Sequence, residues 1–151
     1  MSYSTKPEVR EMIKDDALNA IIGDTFIEDP AKREELVTPI IEAAIADADA
    51  EIDGYLAKRY AVPLSRIPKV INKFSKDIAV YNLFSRIGID ESTDQKTYLN
   101  RYKSAIDFLK LVAEGKVSIG VGDDDPATAA ATGFAVKSNP RLFSRRQMEG
   151  M

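Results

Sequence analysis

Carboxylates are the residues here most able to do chemistry. Asp47, Asp49, Glu51 and Asp53 alternate through the stretch ADADAEIDG. Oxygen ligands of this type hold calcium or magnesium when they converge. On a helix they do not converge: Asp49 and Asp53 share one face, and Asp47 and Glu51 share another. No glycine stands at the spacing a calcium loop needs. The pattern reads as a solvated helix face, with two other uses open, repelling DNA phosphates in a channel and pairing with cations of another subunit. A second acidic run, Asp123-Asp124-Asp125 before Pro126, could touch a divalent ion through one or two contacts, or simply keep a loop soluble. Acid-pair hydrolysis needs two singled-out carboxylates, and no pair stands out.

The missing residue types narrow the chemistry further. The 151 residues contain no histidine and no cysteine. Serine–histidine and cysteine–histidine catalysis, thiolate metal sites and disulfides are all excluded. Gly120-Val121-Gly122 lacks the further glycines and the lysine of a phosphate-binding loop. Arg141, Arg145 and Arg146 cluster around Phe143, too few charges to grip nucleic acid on an acidic chain. The net charge is −3, unevenly spread. Residues 134–151 carry Lys137, Arg141, Arg145 and Arg146 against Glu149 alone, a net of +3, which leaves −6 on the rest. An acidic body with a basic tail fits a tail that docks on a neighbouring copy. The alternative is a solvated tail.

The elements that must position these groups are helical. Thr5 with Glu8 reads as a capping box opening a short helix, and Asp15 or Asp16 starts a second, closed by Gly23. Asp29-Pro30 opens the short stretch AKREEL, which Pro39 should separate from a long helix capped by Thr38. Ile41, Ile45, Ala48, Ile52 and Tyr55 form one stripe on that helix, with Lys58 and Arg59 in its last turn. AVPLSRIP is a non-helical connector. A second long helix runs from Pro68, with Val70 or Ile71, then Phe74, Ile78, Tyr81 and Phe84 inward. Ser92 with Gln95 reads as another capping box, and the helix it opens carries Leu99, Tyr102, Ile106, Leu109 and Ala113. The expected fold is all-α: a small bundle of three long helices (about 39–60, 68–87 and 93–114) with short N-terminal helices and an extended C-terminal arm. Val117, Ile119 and Val121 alternate, which predicts a short strand at 116–121. The helical domain is placed at 1–115 and the arm at 116–151. Fully extended, the arm would span on the order of 120 Å, with Phe134, Leu142 and Phe143 as apolar anchors. No apolar run reaches the roughly 18 residues of a membrane span.

The order of pieces resembles one family. IADADAEIDGYLAKRYAVPL, then KDIAVYNLF, then RYKSAIDFLKLVAEGKVSIG, then RLFSRRQM are similar to the Mu-like phage head–tail connector (adaptor) proteins. The resemblance implies a virion protein of the head–tail neck, made in the host bacterial cytoplasm, with no catalytic activity, cofactor or membrane. It implies a closed ring of copies, a dodecamer, beneath the portal protein. The ring would extend the channel through which genomic DNA passes without sequence-specific binding, and would dock the next neck or tail protein. Phe134, Arg141, Leu142, Phe143, Arg145 and Arg146 of the arm are then the partner-binding candidates, and Glu42, Asp49 and Asp53 the candidates to face the channel. The competing readings are a stopper or tail-completion protein at another neck level, a small helical DNA-binding or regulatory protein, and a metal-dependent hydrolase. The DNA-binding reading lacks a basic recognition helix. The hydrolase reading lacks histidine.

Overall fold

The computed structural model describes residues 1–23 and 26–121. Five α-helices lie among them: α1 (Lys6–Glu11), α2 (Asp15–Ile22), α3 (Pro30–Leu56), α4 (Lys69–Ser85) and α5 (Lys96–Ala113). The chain divides into two units, Met1–Val121 and Gly122–Met151. The second lies outside the described residues, and with it the arm candidates Phe134, Arg141, Leu142, Phe143, Arg145 and Arg146.

α3 is the centre of the first unit and packs against each of the other four helices. Its buried stripe is Val37, Ile41, Ala44, Ile45, Ala48, Ile52 and Leu56, at the three- and four-residue spacing a helix needs to keep one face inward. The Asp29 carboxylate caps it by accepting from the Ala31 amide at 3.0 Å. Pro39 does not break it: the helix runs through from Pro30 to Leu56. Proline removes one backbone donor and crowds the carbonyl one turn earlier. Here Pro39 and Glu35 are exposed, so the freed carbonyl is open to water. Val37 and Ile41 on either side are fully buried, and their packing carries the helix across. Thr38, expected as a cap, sits inside the helix and donates its hydroxyl to the Glu34 carbonyl at 2.7 Å.

α4 and α5 run antiparallel, joined by three ring pairs. Phe74 meets Phe108 with centroids 4.9 Å apart, Tyr81 stacks on Tyr102 at 4.0 Å, and Phe84 stacks on Tyr98 at 4.4 Å. Each such pair adds about 0.5–1.5 kcal/mol beyond its burial. The expected Ser92 capping box is absent. Gln95 does reach back, but it accepts from the Asp90 amide at 3.0 Å, and the Asp90 carboxylate takes the Ser92 amide and hydroxyl at 2.9 and 2.6 Å. That turn uses up the capping groups, so α5 starts at Lys96. At the front, Glu8 does fold back on Thr5, accepting its amide and its hydroxyl at 2.8 Å each. Gly23 closes α2 with φ of 87°.

α3 ends at Leu56, so Arg59 lies beyond its last turn. The guanidinium instead donates to the Val112 carbonyl of α5 at 3.4 Å, placing a cation at that helix's negative end. No strand forms over 116–121, and no strand occurs among the described residues. A strand needs a partner for its backbone, and these residues lie on the side-chain core instead. Ile119 is buried, with Val117 and Val121 packed partly against the same core. The Ile119 amide donates to the Tyr60 hydroxyl at 3.4 Å. The compact body therefore takes in the first residues that the sequence reading gives to the arm.

Candidate functional site

The carboxylates of α3 separate as their spacing requires. Asp49 and Asp53 face the N-terminal segment. Asp49 accepts from the Tyr3 amide at 3.1 Å, the Ser2 hydroxyl at 2.8 Å and the Ser75 hydroxyl of α4 at 3.2 Å. Asp53 accepts from the Tyr3 hydroxyl, which in turn accepts from the Leu64 amide at 3.1 Å. Asn72 donates to the Tyr3 carbonyl at 3.0 Å, and Ser4 and Ser75 share a buried hydroxyl contact at 2.8 Å. Tyr3 is 1% exposed. Burial, and then the hydrogen bond to Asp53, pushes its phenol up to about 12. Glu42, on the same side of α3, is exposed and meets only the Lys6 ammonium at 3.4 Å. The three channel-facing candidates thus differ: Glu42 is open, while Asp49 and Asp53 are tied into the fold.

Asp47 and Glu51 lie on the other side. Glu51 accepts from the Tyr102 hydroxyl of α5 at 2.9 Å. Burial and that bond hold the Tyr102 phenol up at about 12 as well. Asp47 is exposed and engages no other described side chain. Both line an open groove of about 620 Å³ between α3 and the end of α4. At its opposite end the α3 wall is apolar, with Pro39, Ile40 and Ala43, and Ser85 and Arg86 stand across from them at the end of α4.

Among the described residues no three carboxylates gather closely enough to share a metal ion; Asp123, Asp124 and Asp125 lie outside them. Nor is any helix there long and apolar enough to cross a membrane. The raised phenols of Tyr3 and Tyr102 are held protonated as structural donors. The surface of the body carries an acidic helix flank, and a groove whose α3 wall is apolar at one end and acidic at the other. Four polar residues of the interior, Tyr3, Ser4, Ser75 and Asp77, escape the sequence reading. Tyr3 sits in the polar stretch SYST with no periodicity to flag it. Asp77 is 4% exposed on α4, salvaged by Lys73 at 2.9 Å, and the i,i+4 spacing of that pair is the only signal the sequence holds.

Fold and surfaces together define a small all-α bundle. The family is then settled by comparison. The family model described as Bacteriophage Mu, Gp36 matches residues 3–138, and the chain belongs to that family of Mu-like phage proteins. It is similar to the Mu-like prophage FluMu protein gp36 of Haemophilus influenzae, 31% identical over 110 residues, which is 73% of this chain and 74% of the relative. It is also similar to gene product J of Escherichia phage Mu, 32% identical over 109 residues, 72% of this chain and 73% of that one.

Proposed function

We propose that this chain is a structural virion protein of the phage neck. In this reading it is a head–tail adaptor that forms a ring beneath the portal, extends the DNA channel and docks the next neck or tail component. The observation that carries the reading is the family match over 3–138. It begins at the buried Tyr3, spans all five helices and continues past the body into the arm. The body supplies a rigid brick and the arm a means of tying bricks together. The protein acts by position, without catalysis or a cofactor. Along α3, the open carboxylate of Glu42 with Asp49 and Asp53 behind it supplies the negative charge that keeps DNA from adhering to the lumen.

The test is co-assembly with the portal ring, comparing the full chain with a truncation after Val121, read by sedimentation and mass. The cut belongs there because the body extends to Val121. Binding as a ring by the full chain and not by the truncation is the expected result. Binding by both assigns portal recognition to the body alone. Binding by neither moves the protein to another neck level, as a stopper or tail-completion protein, and removes the adaptor reading.

A further inference from the structure

The groove between α3 and α4 is not used by the fold. Asp47 has no described partner, and Glu51 engages Tyr102 through one oxygen. We infer that this groove receives residues 141–146 of the arm of a second copy. The inference rests on the ring reading above and deepens it, since it names the contact that joins one subunit to the next.

Three observations support it. The first is order. Arg141-Leu142-Phe143-Ser144-Arg145-Arg146 places two apolar side chains ahead of two cations. The groove presents Pro39, Ile40 and Ala43 at one end and Asp47 with Glu51 at the other. Leu142 and Phe143 suit the apolar end, and Arg145 and Arg146 suit the carboxylates, where a guanidinium pairs in two-pronged fashion. Arg86, on the α4 wall at the Pro39 end, keeps the incoming cations toward the carboxylate end.

The second is charge. Residues 134–151 carry +3 and the remainder −6, so copies attract one another through unlike parts of their surfaces. A contact between two different patches is head-to-tail, and head-to-tail contacts close into rings when the rotation allows.

The third is length. The body ends beside Tyr60, just past the end of α3. The apolar end of the groove is at Ile40, roughly 24 Å back along that helix at 1.5 Å per residue. From Val121 to Leu142 the chain can span up to roughly 70 Å. Its own groove needs about a third of that reach. The reach therefore admits a neighbour's groove as well as its own, and the double-cysteine chain below tells the two apart.

The chain has no cysteine, so introduced thiols are the only ones present. Full-length Ala43→Cys and Ser144→Cys proteins, one enlarged by a tag, are mixed, assembled and oxidised. Non-reducing gels report the cross-link, and sedimentation of the same sample reports the ring. Ala43 is exposed, so the substitution leaves the core intact. The expected result is a mixed dimer band, and a ladder of covalent oligomers when one chain carries both cysteines. Asp47→Arg should lower the yield about fivefold, as for a partly solvated ion pair, and Arg145→Glu combined with it should restore the yield. Cross-linked dimers without a ring support the groove contact and remove the ring reading. Rings without a cross-link overturn the groove contact and leave the ring. The contact is also overturned if the double-cysteine chain closes on itself, if the yield ignores Asp47→Arg, or if neither ring nor cross-link forms.

Discussion

The hydroxyl of Tyr3 donates to Asp53 and accepts from the Leu64 amide, while its own backbone is held by Asp49 and Asn72. Removing the hydroxyl in Tyr3→Phe strands a carboxylate and an amide, at a cost of about 1–3 kcal/mol. The titration follows from the raised phenols. Tyr3 and Tyr102 move from 10.0 to about 12, burial first and a carboxylate partner second. A group whose folded pKa is raised contributes stability that is complete below its unfolded pKa and is lost as pH rises through the folded one. Urea midpoints of the native chain should therefore hold to pH 10 and fall between 10 and 12. Tyr3→Phe should start lower near neutrality and fall less steeply across that window. A variant as steep as the native chain would remove Tyr3 from the account. None of this was legible in SYST, because a lone aromatic among serines has no periodic signature and its partners lie 46 to 69 residues away.

At the scale of the element, spacing succeeds where burial is one-sided and fails where punctuation competes with packing. α4 and α5 are read correctly because Ile71, Phe74, Ile78 and Phe84, then Ile106 and Leu109, recur at helical intervals and are buried. The division of Asp49 and Asp53 from Asp47 and Glu51 was legible for the same reason. Pro39 is misread as a boundary because sequence shows the lost donor but not the burial of Val37 and Ile41 that outweighs it. Proline costs a helix interior about 3 kcal/mol relative to alanine. Pro39→Ala, at an exposed position, should recover about 1–3 kcal/mol of that and raise Tm by about 5 °C. An unchanged or lower Tm would mean that the proline conformation is itself needed there. The alternation of Val117, Ile119 and Val121 is real in its burial but not in its backbone. A two-residue period shows which side chains turn inward, and only a paired neighbour makes the segment a strand.

For the whole molecule, the division between body and arm decides how it can be cut. Gly115 closes α5 in sequence, yet Ile119 is 6% exposed and its neighbours lie against the core. A chain ending at Gly115 should be less stable than one ending at Val121 by about 3 kcal/mol, from the apolar area re-exposed. Chemical denaturation of the two truncations gives the difference directly; equal midpoints would place 116–121 outside the body. The charge asymmetry that suggests assembly was readable from composition alone. The groove it points to was not, because its walls come from two helices whose facing residues, Ala43 and Arg86 among them, are far apart in the chain.

The anchoring of Ser2, Tyr3 and Ser4 also sets an order of events. These residues leave the ribosome before their partners, which include Asn72 and Ser75 of α4. The segment must wait in water until Asn72 and Ser75, about half-way along the 151 residues, have been made. A serine-flanked tyrosine suits that interval, since it is polar enough to stay solvated and has too little apolar surface to seed aggregation. The N-terminal segment is therefore fixed only after α4 has been made, and not as it emerges.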